Sequence, residues 1–256
     1  MSIVPQLLSI YRAAGYEPLT GYNSYHFGNY MDAPFTRFVK DGRIYGQGAG
    51  LALQEVMFVE CFRDFLNVKN IFVVGNSYGW STLALSLIFP EARVVSIDPN
   101  QEGNALTNQI ARSNGMNVLA AEGWSPQDVG TIVAQNLSGP IDLVLIDALH
   151  ENDSLIKDFG ACSAVADGKT VYLFHDVLNW GMVDGFLQIC GMSGLNGRIL
   201  TRTASGMAVA WKTISPEFQA YIDAFSDNMT LYRQYRQHCM GEGSRIYSSL
   251  DRLFTV

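Results

Sequence analysis

From residue 70 onward the chain repeats one pattern: a short apolar run, a turn, a helix-like stretch, then another apolar run. Ile71–Val74 is apolar throughout, as a strand buried on both faces must be. A helix over Thr82–Phe89 follows, stopped near Pro90, and "RVVSID" (Arg93–Asp98) is the next strand. The spacing then predicts a helix over Glu102–Asn114 that ends at Gly115, and a strand over Asn117–Glu122. Ser125 and Pro126 read as an N-cap and first-turn pair opening a helix to about Asn136. "IDLVLID" (Ile141–Asp147) is a strand, Asp153–Ala166 a helix, and Asp167–Gly168 a turn into the strand "KTVYLFHD". A helix from Trp180 to Met192 precedes two runs, "GRILTRT" and "GMAVAWK", which read as a terminal hairpin around Ala204–Gly206. Strict alternation of this kind folds as a mostly parallel sheet covered by helices on both faces, with an antiparallel end. Ligands of such sheets bind beyond the carboxyl ends of the strands, near the reversal in strand order.

The flanks read differently. Residues 1–50 hold the aromatic-rich "YNSYHFGNYMDAPF" and are expected to form an N-terminal extension, with Tyr22–Tyr30 and His26 either a lid or a packing arm. The core is set at 51–212. Residues 213–256 are a helical appendage carrying Arg233, Arg236, Arg245 and Arg252, either solvated or used to form a homo-oligomer.

At 256 residues, 48% hydrophobic and 16% charged, the chain can bury a large core without staples. Its net charge of -7 argues against nucleic acid as a partner, since an acidic chain gains nothing from counterion release. The four cysteines, Cys61, Cys162, Cys190 and Cys239, form no CxxC pair, which argues against a thiolate zinc site. Cys61 and Cys162 are expected as buried thiols, and a reducing, cytoplasmic setting fits. The opening "MSIVPQLLSIYRAAGYEP" lacks a basic start and a small-residue cleavage site, so no secretory signal is expected there. No apolar run is long enough to span a bilayer.

The chemistry-bearing residues fall just after strands. "VVGNSYGWST" places Gly75 and Gly79 around Ser77, ahead of a helix whose first N–H groups, near Ser81 and Thr82, are free to meet a ligand. Alone, such a loop cannot be told from a plain turn. Asp98 closes the next strand, where an acid can accept hydrogen bonds from both hydroxyls of a ribose. "IDLVLIDALH" ends in Asp147, with His150 three residues later, and "VYLFHDV" ends in His175 and Asp176. If those strands are neighbours, two carboxylates and an imidazole converge, either as a divalent-cation site or as a metal-free acid/base cluster.

Taken in order, "VVGNSYGWST", "VVSIDP", "AEGWS", "DLVLIDALH", "DGKTVYLFHDV" and "GMAVAWK" resemble the class I S-adenosylmethionine-dependent methyltransferases. The likeness is greatest to small-molecule O-methyltransferases of the catechol and macrocin types, and it covers roughly Leu51 to Lys212. It implies a Rossmann-like, doubly wound, mostly parallel seven-stranded sheet. It also implies S-adenosylmethionine as cofactor. Gly75, Asn76, Ser77, Gly79 and Ser81 would line its methionine portion and Asp98 its ribose, while Asp147 stands beside them. Gly123, Trp124 and Ser125 match the adenine segment, with Trp124 either stacked on the base or packed in the core. The resemblance further implies a magnesium-like cation at Asp147 and at the pair His175–Asp176, and a general base at His150.

Two residues depart from the pattern. Val73 replaces an acid that commonly helps hold the cofactor's amino group. His175 stands where a hard oxygen ligand is usual, which leaves three readings open: Asp147 and Asp176 bind the metal with water, His175 is an acid/base group, or no metal is used. The expected activity is methyl transfer to a hydroxyl of a small molecule. A non-catalytic binding subunit on the same fold is the main rival. A nicotinamide oxidoreductase is a lesser one, since the loop matches one glycine of the three in a dinucleotide fingerprint.

Overall fold

The computed structural model describes residues 2–23, 33–46 and 50–240. His26, Arg245 and Arg252 lie outside that set, as does the side chain of Cys239. In chain order the elements are α1 (Val4–Ala13), β1 (Glu17–Leu19), β2 (Arg37–Lys40), β3 (Arg43–Tyr45), α2 (Leu53–Glu60), β4 (Asn70–Val74) and α3 (Trp80–Ile88). Then come β5 (Arg93–Asp98), α4 (Gln101–Ser113), β6 (Val118–Glu122), α5 (Val129–Asn136), β7 (Ile141–Ile146) and α6 (Asn152–Ser163). The chain continues with β8 (Ala166–Phe174), α7 (Val183–Ser193), β9 (Asn196–Ile199), β10 (Ala208–Trp211), α8 (Pro216–Asp223) and α9 (Met229–Met240).

Seven strands form the main sheet in the order β6-β5-β4-β7-β8-β10-β9. β6 to β8 run parallel, and β10 pairs antiparallel with both β8 and β9, so the expected closing hairpin is present. β4 is central and buried at all five residues, and its side chains alternate between the two faces. Ile71 and Val73 join one core cluster with Leu83 of α3, Val56 of α2 and Leu7 of α1. Phe72 and Val74 join the other, with Val133 of α5, Phe159 of α6 and Phe186 of α7. From β4 the chain winds outward through β5 to β6, then returns to the far side of β4 as β7. That reversal opens a crevice at the carboxyl ends of β4, β5 and β7.

The described N-terminal residues build on the first of these faces. β1, β2 and β3 make a separate three-stranded antiparallel sheet. Tyr11 of α1 stacks on Phe38 of β2 at 4.4 Å and meets Trp80 of α3 at 5.6 Å, all three being buried.

Several boundaries differ from the sequence reading. α5 begins at Val129, because Ser125 turns its hydroxyl to Asp158 and caps no helix; the Ser125–Pro126 bond is cis. α6 stops at Ser163, and Asp167–Gly168 lie within β8, where Ala166 pairs with Ile141 ahead of an irregularity in register. α7 starts at Val183, since Leu178 and Asn179 give their N–H groups to Gly206 and Ser205 and so hold the preceding segment as a loop. Cys61 is only partly buried, at the start of a short 3-10 turn, whereas Cys162 is buried as expected. Among the described residues, no helix is long and apolar enough to cross a membrane.

Candidate active site

The ladder runs one residue past three strands. Gly75 N–H bonds to Ile97 O, Asp147 N–H to Val74 O and His175 N–H to Ile146 O, so these residues hang at the sheet edge. Gly75 has φ +94, and a β-carbon there would sit 1.8 Å from the carbonyl oxygen of Asp147. Only glycine lets the two loops pass so closely. Ser77 adopts φ +47 without being glycine, a conformation that costs on the order of 1–2 kcal/mol.

Asp98 holds this loop down. Its Oδ2 accepts from the N–H of Asn76 at 2.8 Å and of Ser77 at 2.7 Å, while Oδ1 accepts from Asn100 N–H at 2.8 Å. A carboxylate oxygen has two lone pairs, so Oδ1 keeps one for a ligand. Beneath the loop, the buried Asn76 amide donates to Asn104 Oδ1 and Thr107 Oγ1 and accepts from Thr82 and Ser96 hydroxyls. Its side chain is thereby a knot under the loop with no capacity left for a ligand. Gly79, expected to line the cofactor, instead faces α4: a β-carbon there would lie 2.2 Å from Thr107 Oγ1, and the residue takes no part in the cavity wall. Val73 is fully buried in the core and does not line the cavity.

A cavity of about 340 Å³ fills the crevice, within the usual size of small-molecule sites. One wall is Gly75, Asn76, Ser77, Ser81 and Asp98; another is Gly123, Trp124 and Ser125; the floor passes Asp147 to His150. Of the expected cofactor residues, all but Gly79 line it. Trp124 is 62% exposed at the mouth, which sets aside the packed-core reading. Three wall residues of α6, Ser154, Lys157 and Asp158, were not legible as site residues in the sequence. Asp158 is nearly buried and accepts the Ser125 hydroxyl at 2.6 Å. Burial pushes its carboxyl above the ordinary aspartate value, and the Ser125 hydrogen bond only partly offsets this.

Beyond the cavity floor lies a polar cluster. Ile146 pairs with Phe174, so the next residues, Asp147 and His175, emerge side by side. His175 Nδ1 is 3.1 Å from Asp147 Oδ1 and 3.3 Å from Asp176 Oδ2, and Asp176 reaches this position with φ +57. His150 stacks on Trp180 at 5.2 Å, and its Nε2 lies 3.3 Å from Asp176 Oδ2 and 3.6 Å from Asp147 Oδ1. That Nε2 is buried and makes no hydrogen bond. The juxtaposition of Asp147, His150, His175 and Asp176 expected from the sequence is therefore present.

The fifth member, Glu55, is new. It is fully buried on α2, and its four lone pairs are all used: Oε1 by Ser205 N–H and hydroxyl, Oε2 by Ala52 N–H and by His175 Nε2 at 2.9 Å. "ALQEVMFVE" carries one signal of this, a carboxylate sharing a helix face with Phe58 and Val59, which are buried.

The charges are tightly linked. Burial works to raise Asp147, but His175 and His150 outweigh it and hold its carboxyl well below the carboxylate range. Burial likewise works to raise Glu55, and His175, Ser205 and Ala52 together keep it low. For His175 burial works downward, and Asp147, Asp176 and Glu55 reverse it, so the ring holds a second proton far above its ordinary range.

One ligand atom from each of Asp147, His150, His175 and Asp176 lies within 4.8 Å of the others, close enough to share one cation. Two carboxylates and an imidazole fit a divalent cation that accepts mixed nitrogen and oxygen donors. They fit Mg²⁺ less well, since it prefers a shell of oxygens.

Residues 72–177 match the protein family described as "Methyltransferase domain". No curated protein matches the chain. Among solved structures, an assigned caffeoyl-CoA O-methyltransferase of Staphylococcus aureus is 18% identical, with TM-score 0.55 over 64% of this chain and 85% of that one. An O-methyltransferase of Bacillus cereus in complex with SAH is 15% identical, with TM-score 0.54 over 65% of this chain and 84% of that one. The O-methyltransferase TomG of Streptomyces achromogenes, involved in tomaymycin synthesis and solved with SAM, is 18% identical, with TM-score 0.51 over 64% and 81%. Residues 72–177 are thus similar to a methyltransferase domain, and the chain has the fold of the class I S-adenosylmethionine-dependent methyltransferases.

Proposed function

We propose that the protein transfers the methyl group of S-adenosylmethionine to a hydroxyl of a small molecule. One observation carries this reading: the cavity that starts at the glycine loop and Asp98 ends at Asp147 and His150. A nucleoside-binding wall and an acid/base cluster are thereby one site.

S-adenosylmethionine, when bound, supplies an electrophilic methyl group on its sulfonium. The free lone pair of Asp98 Oδ1 would accept a ribose hydroxyl, and Trp124 and Ser125 would hold the adenine. Trp124 is well placed for this because its ring stands free at the mouth. His150 Nε2 takes the proton of the substrate hydroxyl, since His150 lines the cavity and this nitrogen makes no hydrogen bond. Trp180 fixes the plane of that imidazole. Asp147, His175 and Asp176 would hold a divalent cation, which lowers a hydroxyl's pKa and orients it. What remains is alignment of nucleophile, methyl and leaving sulfur.

The partner is a small molecule rather than nucleic acid, in keeping with the net charge of -7. Residues 1–50 are an N-terminal extension and 213–256 a C-terminal appendage of the 51–212 core. Leu231 and Tyr235, exposed on one face of α9, suit contact with a second copy in a cytoplasmic homo-oligomer.

Calorimetry tests the cofactor first: S-adenosylhomocysteine binds and NAD does not. The opposite outcome would return the chain to the oxidoreductases, and no binding of either would favour a non-catalytic subunit. With a substrate in hand, His150→Ala lowers kcat by about 10²–10⁴-fold while S-adenosylhomocysteine affinity holds. Full turnover in that variant would remove His150 as the base.

A further inference from the structure

Three potential ligand atoms meet where β7 and β8 end. Glu55 is anchored on both oxygens, by Ser205 and by Ala52, and its Oε2 faces His175 Nε2 at 2.9 Å. An ionised carboxylate has no hydrogen to offer, so a ring hydrogen lies on Nε2. Nδ1 is then the ring atom left to ligate, once the hydrogen it carries is displaced. It points at Asp147 Oδ1, 3.1 Å away, and Asp176 Oδ2, 3.3 Å away. With no ion present that nitrogen hydrogen-bonds Asp147, and a divalent cation binds there by displacing the hydrogen; His150 Nε2, buried and without a hydrogen-bond partner, borders the same space. A carboxylate behind the far nitrogen of a histidine is how ligating imidazoles are oriented and made more basic.

We propose that His175, with Nε2 fixed by Glu55, ligates a divalent cation through Nδ1 together with Asp147 and Asp176, and that this imidazole makes the centre select a transition-series cation, from Mn²⁺ to Zn²⁺, over Mg²⁺. The proposal rests on the methyltransferase reading only for the expectation that a cation belongs at this place. The selectivity follows from donor chemistry. Mg²⁺ sheds water reluctantly and seeks oxygen in near-octahedral array. Mn²⁺, Co²⁺ and Zn²⁺ accept imidazole beside carboxylate, with affinity rising along that series. Glu55 touches no cation and is a positioning residue. It couples α2 and the β9–β10 turn, through Ser205, to the orientation of one ligand. Asp147 also forms part of the cavity wall, so a cation held there would border the cavity.

The test titrates the full-length chelator-stripped chain with CoCl₂ and with MgCl₂ separately. Visible absorption reports nitrogen ligation of cobalt, and calorimetry reports both affinities. One equivalent of Co²⁺ binds, at least about 100-fold more tightly than Mg²⁺. Glu55→Gln weakens cobalt by about 10–100-fold and leaves S-adenosylhomocysteine affinity unchanged, a split that a merely structural role would not produce. His175→Asp, which completes an all-oxygen set, moves the preference toward Mg²⁺, and it decides the matter should Glu55→Gln fail to fold. Magnesium binding as tightly as cobalt overturns the proposal. So does a wild-type chain that binds S-adenosylhomocysteine but no Co²⁺, because Nδ1 then keeps a proton instead. Loss of S-adenosylhomocysteine binding in the wild type sinks the methyltransferase reading and leaves the metal comparison to be judged separately.

Discussion

Asp98 holds the glycine loop and has one lone pair to spare, which the proposed mechanism gives to a ribose hydroxyl. It accepts three backbone N–H groups, two of them from the glycine loop, and keeps one lone pair for a ligand. Hydrogen bonds to a charged acceptor are worth about 1.5–3 kcal/mol. Asp98→Ala therefore loosens the loop as well as removing the proposed ribose contact. We expect S-adenosylhomocysteine affinity to fall by at least about 100-fold, and amide exchange at Asn76 and Ser77 to quicken even without ligand. Unchanged exchange would show that Asp98 does not hold the loop. Asp158 gives a prediction with a sign in pH. Its folded-state pKa is raised by burial, so folding binds the proton more tightly than the unfolded chain does. Stability then falls as pH rises from the unfolded aspartate value through the folded one. Asp158→Asn keeps an acceptor for Ser125 and removes the buried charge. Its melting temperature should exceed the parent's at neutral pH, with the two curves converging at acid pH. A constant difference at all pH values would contradict this account.

At the scale of elements, the spacing of strands and helices was legible because buried parallel strands read as unbroken apolar runs. The edge residues Asp98, Asp147, His175 and Asp176 were legible for the same reason: each breaks such a run at its carboxyl end. Glu55 was not, because its partners Ser205 and His175 lie far along the chain and no local pattern announces them. The wall residues of α6 were hidden likewise, since an exposed helical face and a cavity-facing one share the same polar composition. Ser125 misled because Ser-Pro is a common helix opening, and only tertiary contact with Asp158 shows its hydroxyl in other use. Gly79 matched a cofactor loop by spacing, yet its small size serves packing against Thr107. Gly75 makes the sharpest test of the paired loops. Gly75→Ala sets a methyl group on the Asp147 carbonyl at a positive φ. Overpacking together with backbone strain costs about 2–5 kcal/mol, so denaturant midpoints should drop sharply. A midpoint within error of the parent would mean that the loops part without cost.

In the molecule as a whole, the two faces of the sheet divide the work. The face carrying α5, α6 and α7 supports the cavity wall at Asp158, whereas the face carrying α1, α2 and α3 supports Glu55 and thus His175. The described N-terminal residues belong to the second support. Phe38 is buried between Tyr11, Trp80 and Tyr16 and holds the small sheet on α3. Truncating a buried Phe costs about 3–5 kcal/mol. Phe38→Ala should accordingly lower global stability by that amount in urea, as one cooperative transition. A separate early transition would mean that the N-terminal sheet folds apart from the core. The central claim is that the cavity and the polar cluster are one methyl-transfer site. Its most direct test is a crystal structure of the full chain with S-adenosylhomocysteine. The account predicts adenine beneath Trp124, ribose on Asp98 Oδ1 and the sulfur facing Asp147 and His150. A ligand bound elsewhere, or in this cavity with its sulfur turned away from His150, would contradict it.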